Sequence, residues 1–374
     1  MRDGMGRGPL PGRWLGATVA AKSESKVDVG DGVKDAAIGL VLAGARWSGA
    51  AALARPFLAG SGAILMLHRV TAKNWSPLGV NAGLSITPRF LDAVLAELNR
   101  RGQPVVAMDE MLEALRAGRG HQVVAITADD AYLDNLTEAL PVVEAHGAPF
   151  TIYVAPALVS GETLPWWEVA EELVMTRDEL RLPGEGGEVV LPCRDVEGRR
   201  AAARRLMRYL SSEVAEADQQ AELRRLGGTA GSERRFMDWD ELRRLAAHPL
   251  ATLGAHTVHH VALARLAEDE ALAEMLDSAR IIEAETGRRP RHFAYPYGNS
   301  AAAGAREAGL ARRAGFATAV TTRHGVLLPG HAAHPHALPR ISVNGNFQRL
   351  SDLRTLMSGL TTPLANRGRR LVTV

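Results

Sequence analysis

Val123-Val-Ala-Ile-Thr-Ala-Asp129-Asp130-Ala131-Tyr132 runs from a short apolar stretch directly into two adjacent carboxylates. A run of this length and composition reads as a buried strand. Two acids side by side at its end repel one another, and a cation is the usual remedy. One carboxylate can then bind a metal while its neighbour works as a base. The same pair also reads as N-terminal acids of the helical pattern Leu133–His146, whose free N–H groups favour them.

Working outward, similar apolar runs recur at Ile64–Leu67, Phe150–Val154, Thr252–Ala255, His292–Tyr295 and Ala317–Val320. Between them lie amphipathic patterns at Thr87–Arg101, Leu133–His146, Asp238–His248, Glu268–Thr286 and Ser300–Ala314. Glycine follows several of these, at Gly102, Gly147, Gly287 and Gly315, where a left-handed cap costs little. Strand and helix in alternation argue for a parallel sheet, and six such units favour a barrel-like α/β domain. The stretch Gly161 to Arg235 breaks the alternation with a Trp-Trp pair, a Gly/Pro-rich patch and a charged helix around Arg199–Leu226. It reads as an insertion after a strand, on the face where such barrels build their sites.

The domain expectations are a flexible tail over 1–33, an amphipathic helical segment over 34–60, one domain over 61–360 containing the insertion 161–235, and a C-terminal tail over 361–374. Over the 374 residues, 46% are hydrophobic and 23% charged, enough for a sizeable core. The 44 basic and 42 acidic residues leave a formal charge of +2, so no global field points to nucleic acid. The single Cys193 excludes an internal disulfide framework and reads as an inert thiol. No signal-peptide core and no stretch of ~20 apolar residues is visible, so no transmembrane segment is expected. A cytoplasmic location follows, with membrane-surface association of 34–60 as the alternative.

Two further strand ends carry chemistry. Leu253-Gly-Ala-His256-Thr257-Val258-His259-His260 places His256 and His260 four apart, so that on a helical turn both imidazoles could share one divalent ion. His292-Phe-Ala-Tyr295-Pro296-Tyr297-Gly298 ends in a turn whose N–H groups could stabilise an oxyanion and whose rings could stack on a sugar. Two histidines and one carboxylate leave coordination positions open, as a catalytic rather than a structural metal site requires.

Adjacent aspartates, then His-Thr-x-x-His, then Phe-x-Tyr-Pro-Tyr-Gly, each after a strand, resemble the polysaccharide deacetylase family, the carbohydrate esterases related to chitin deacetylases and nodulation protein B. The resemblance spans roughly Ile64 to Ser342 and includes Met66-Leu-His68-Arg69-Val70 and Leu338-Pro-Arg340-Ile-Ser342. It implies a distorted (β/α) barrel with a helical insertion and the metal at the strand C-termini. It also implies Asp129 as base, and Asp130, His256 and His260 as ligands of a divalent ion, zinc by ligand type. The Tyr297 N–H would hold the oxyanion. The general acid would be a histidine of Gly330-His331-Ala-Ala-His334-Pro-His336, with His334 favoured among His331, His334 and His336.

Tyr295, Pro296, Trp166, Trp167 and Arg340 are candidate substrate contacts, the two tryptophans reading equally as buried anchors. His68 reads as a pocket-lining or structural histidine. The implied reaction is removal of N-acetyl groups from an N-acetylglucosamine-containing oligo- or polysaccharide. The alternatives are O-acetyl ester or non-sugar amide hydrolysis, or a catalytically silent carbohydrate-binding protein.

The chain departs from the family's usual Thr-Phe-Asp-Asp-Gly at Ala128 and Ala131. If the backbone needs positive φ after Asp130, the Ala131 Cβ adds roughly 1–2 kcal/mol of strain. The family's base-orienting Arg is also absent at Ala294, leaving Arg340 or Arg69 as substitutes.

Overall fold

The computed structural model describes residues 42, 44, 49–118, 122–184, 186–231 and 233–374. The expected tail 1–33, and residues 34–41, 43 and 45–48 of the helical segment, lie outside them. Within that segment Ala50–Leu58 is an α-helix.

Seven parallel strands close into a barrel: β1 (Gly62–Leu67), β2 (Val123–Ala128), β3 (Phe150–Val154), β4 (Ala251–Ala255), β5 (His292–Ala294), β6 (Thr318–His324) and β7 (Leu338–Ser342). Each strand pairs with the next in sequence, and β7 closes on β1 through Leu65 opposite Ile341. Every residue of β1, β2 and β3 is buried, because the barrel interior covers one face and helices the other.

Alternation along the strands decides what points inward. Ile64, Ala125, Tyr153, Ala294, Val320 and Leu338 share one interior cluster. Leu65, Leu67, Ile126, Ala128 and Ile152 belong to the outer cluster against the helices. The same period of two then aims Thr127, Asp129 and Arg340 inward at the carboxyl end. Gly254 faces inward on β4, where a Cβ would stand 2.3 Å from the Tyr153 ring.

The helices begin and end where local chemistry dictates. Thr87 caps Pro88–Arg100 by accepting from the Phe90 N–H at 3.1 Å, with Pro88 at its first position. Asp238 and Glu241 form a reciprocal capping box at the start of Trp239–Ala247. Gly102, Gly147, Gly287 and Gly315 all take positive φ after their helices.

Three differences from the sequence reading stand out. The expected six strands are seven, since Leu338–Ser342 completes the barrel. The helix expected over Ser300–Ala314 begins at Ala305, and that over Leu133–His146 is a π-helical stretch Asn135–Ala139 continued by Leu140–Ala145. Within 161–235 the helix Trp166–Met175 is followed by an antiparallel hairpin, Glu179–Gly184 with Gly187–Pro192, and then by Val196–Arg208 and shorter helices. This region has its own apolar cluster around Leu180, Leu206 and Leu223. The final residues, expected as a tail, include the helix Thr361–Ala365 and the buried Val372. No described helix is long and apolar enough to cross a membrane.

Glu97 joins two outer helices. Its carboxylate accepts from Arg100 at 2.9 Å, from Arg101, and from Arg354 of Leu350–Met357 at 2.8 Å. Burial alone would raise its pKa, but the guanidinium hydrogen bonds outweigh this and lower it to about 2. Because the folded value lies below the unfolded one, the stabilisation is present above pH ~4.5 and disappears as pH falls toward 2. Chemical denaturation of Glu97→Gln against the parent should show a deficit of about 1–2 kcal/mol at pH 7, screening by solvent included, that vanishes near pH 2. A pH-independent deficit would contradict this origin.

Candidate active site at the carboxyl end of the barrel

Asp129 and Asp130 follow β2, and the Asp129 N–H donates to the Leu67 carbonyl of β1 at 3.1 Å. Asp129 turns inward to Arg340, which donates two parallel hydrogen bonds of 2.7 Å to its carboxylate. Arg340 also donates to the Thr321 carbonyl at 2.9 Å and to Thr127 Oγ1 at 3.2 Å. Burial would raise the Asp129 pKa, but Arg340 outweighs it and keeps the group ionised. Arg340 therefore orients Asp129 and is fully buried, which corrects the expectation that it contacts substrate. Arg69 is engaged elsewhere, with Asp134 at 2.8 Å and over the Trp75 and Tyr132 rings.

Asp130 turns to the other side. Its Oδ1 lies 3.4 Å from His256 Nε2 and 3.3 Å from His260 Nε2, and the ligand atoms of all three buried residues lie within 4.8 Å of one another. His256 Nδ1 is 2.7 Å from the Ala294 carbonyl, which fixes the proton on Nδ1 and leaves Nε2 facing Asp130. Asp130 Oδ1 is buried without a hydrogen-bond partner.

This donor set fits a divalent ion. Four ligands at about 2.0–2.1 Å in a tetrahedron stand about 3.3–3.4 Å apart, which matches the separation of Asp130 from each imidazole. Electrostatics point the same way: burial opposes ionisation of Asp130, but His260 and His256 outweigh it and hold its pKa far below the ordinary carboxylate value. His256 is raised, the pull of Asp130 and Asp129 exceeding the cost of burial. A cluster that demands positive charge this strongly is suited to a cation.

The two histidines do not share a helical turn. Thr257-Val-His-His260 is a loop in which Thr257 and His260 have φ of 58° and 56°, and this bend brings the imidazoles together. His259 turns away to Glu274 at 2.6 Å. His260 is walled by the Trp167 ring at 4.8 Å and the Tyr297 ring at 5.0 Å.

Other expected contacts need correction. Trp166 and Trp167 are buried anchors, donating to Tyr297 Oη at 2.8 Å and Tyr132 Oη at 2.9 Å, and are not free to stack on a sugar. Tyr295 is 1% exposed, donates to the His336 carbonyl at 2.8 Å and packs on Phe293, and Pro296 is buried beside it. Tyr297 stands half-buried in a tight turn with φ 60°, and among the described residues its N–H has no partner.

His331, His334 and His336 precede β7, so they sit at the amino end of the barrel, opposite the carboxylates. His331 binds the Val372 carbonyl, His336 binds the Phe316 carbonyl before β6, and His334 is exposed. None can serve as the acid. The histidine that does reach the site is His68, at the end of β1, with Nε2 3.9 Å from Asp129 Oδ2. Burial lowers its pKa against the opposing pull of Asp129 and Asp130. The sequence signal was its position, one residue past a barrel strand, like Asp129 and His256.

The architecture so far is a closed parallel barrel carrying a buried Asp-His-His cluster and an arginine-clamped aspartate at its strand ends. Residues 205–318 match the polysaccharide deacetylase family model. No curated protein matches the sequence. Among solved structures, the chain is similar to IcaB from Ammonifex degensii (19% identity, 79% of this chain and 98% of that one, TM-score 0.51). It is also similar to a de-N-acetylase from Aggregatibacter actinomycetemcomitans (13%, 79% and 98%, 0.51) and to the deacetylase PplD from Streptococcus pyogenes (20%, 79% and 97%, 0.49). The family match covers residues 205–318, and the likeness to IcaB and to the de-N-acetylase shows a shared barrel fold.

Among the described residues six non-glycine residues have positive φ, and five of them, Asp130, Ala131, Thr257, His260 and Tyr297, line this site. Strain of this kind persists where surrounding contacts over-determine it. Ala131, at φ 57°, is the position where the family's glycine would be unstrained. Ala131→Gly should raise the unfolding free energy by about 0.5–1 kcal/mol in denaturant titrations, the relief of strain exceeding the added chain entropy. Destabilisation instead would mean that the Ala131 methyl's packing outweighs its strain.

Proposed function

We propose that this chain is a metal-dependent deacetylase that removes N-acetyl groups from an N-acetylglucosamine-containing oligo- or polysaccharide of the chitooligosaccharide type. The observation that carries the reading is Asp130, His256 and His260 converging around an unsatisfied carboxylate oxygen, beside an aspartate that Arg340 keeps ionised. These three residues would hold the ion, with zinc the best match to two imidazoles and a carboxylate. When bound, such an ion supplies Lewis acidity and acidifies water.

The protein's own residues do the rest. Asp129, ionised and pinned by both carboxylate oxygens, takes the proton of the attacking water. The Tyr297 N–H is placed to receive the developing oxyanion. His68 lies within reach of Asp129 and opens onto the cleft, so it is the group positioned to deliver a proton to the departing amine. Neutralisation of its imidazole by burial suits a relay in which the proton gained by Asp129 passes on to nitrogen. Ala128 does not argue for a silent homologue, since its methyl points outward to the helix layer, away from the carboxylates.

Elemental analysis and acetate release from N-acetylglucosamine oligomers test this directly. About one metal ion per chain is expected, lost in His256→Ala. Asp129→Asn and His68→Gln should keep the metal and lose at least about a hundredfold in kcat/KM, while His334→Ala should match the parent. A metal-free parent, or full activity in Asp129→Asn, would overturn the assignment.

A further inference from the structure

A cleft of about 1000 Å³ opens from His68, Tyr297 and Arg340 and is walled on its far side by the C-terminal segment. No aspartate or glutamate lines it, yet four arginines do. Two of these are committed: Arg340 to Asp129, and Arg323 to the Thr373 and Ala303 carbonyls at 2.8 and 2.7 Å. Arg367 and Arg369 are exposed and make no side-chain hydrogen bond or ion pair with any described residue.

The wall that carries them is fastened to the barrel. His324 Nε2 meets Thr361 Oγ1 at 2.7 Å, Asn366 donates to the His324 and Thr362 carbonyls at 2.7 Å each, and His331 binds the Val372 carbonyl at 2.9 Å. Arg367 itself has φ 53°, the one positive-φ non-glycine among the described residues outside the catalytic loops. Two like charges two positions apart, over a cleft that no acidic side chain lines, repel one another, and an anion relieves that repulsion. Guanidinium groups suit oxyanions because their planar donors match phosphate and carboxylate oxygens. Asn299, Asn344 and Asn346 line the same cleft and supply neutral hydrogen-bonding groups, as a sugar ring requires.

We infer that the substrate is anionic: an acetylated sugar bearing a phosphate or carboxylate, which Arg367 and Arg369 bind while the acyl group enters at Asp129 and Asp130. The inference rests on the deacetylase reading for the placement of the acyl group.

Calorimetry on the full chain, with N-acetylglucosamine, N-acetylglucosamine 1-phosphate and N-acetylmuramic acid, separates a phosphate from a carboxylate and both from a neutral sugar. At low ionic strength at least one anionic sugar should bind on the order of tenfold more tightly than the neutral one, and about 0.5 M salt should shrink the advantage. The double variant R367Q/R369Q, both positions exposed, should lose the advantage and leave neutral-sugar affinity unchanged. Equal or undetectable binding of the anionic sugars, or an advantage that survives in the double variant, overturns the inference.

Acetate release measured alongside keeps the two readings apart. Arginine-dependent anion binding without any acetate release would sink the deacetylase and leave the anion site. Equal kcat/KM for neutral and anionic sugars in parent and double variant would sink the anion site and leave the deacetylase.

Discussion

Arg340 is the largest side chain wholly removed from water among the described residues, and the barrel's carboxyl end is organised around it. A buried guanidinium without partners would cost several kcal/mol, so its position is tenable only because Asp129, Thr127 and the Thr321 carbonyl satisfy its donors. That demand ties β7 to β2 across the barrel interior and to β6 beside it. It also leaves Asp129 little orientational freedom, and a base held by both oxygens needs no reorganisation when a proton arrives. Closure of the barrel and preparation of the base are thus one interaction.

The loops above that clamp carry the strain. Asp130 and Ala131 both take left-handed backbone directly after β2, which swings Asp130 away from Arg340 and toward the histidines. Two neighbouring carboxylates are in this way sent to two differently charged environments, one facing a guanidinium and one facing two imidazoles. Their roles are separated by backbone geometry rather than by residue type.

The strand positions were legible because fully buried parallel strands are continuous apolar runs, and β2 and β3 have the bounds their composition suggests. β7 was hidden for a physical reason: Leu338-Pro-Arg-Ile-Ser contains a proline and the buried arginine, neither of which advertises a core strand. The hairpin Glu179–Pro192 was missed because most of its second strand is exposed and its turn is Gly-rich. The Asp-His-His cluster was readable from residue types at strand ends, but the left-handed bends that assemble it were not. The misplacement of His334 has a simple cause. In a parallel barrel only the residues that follow a strand reach the active end, and His334 precedes one, whereas His68 follows one.

The region between β3 and β4 is not an accessory to this site. Trp167 faces His260 and donates to Tyr132, which lies two residues beyond Asp130, while Trp166 donates to Tyr297, whose hydroxyl reaches the His260 carbonyl at 3.3 Å. On that side His260 is walled by Trp167 and Tyr297, and Trp166 packs on both. The His260 Nδ1 is buried without a partner, so packing rather than a hydrogen bond sets the ring's orientation. An imidazole positioned by aromatic contacts keeps its ligand geometry only while those contacts are intact. Docking of the helix Trp166–Met175 is accordingly a condition for a complete cluster, and mutations that loosen this helix reach the site without touching a ligand.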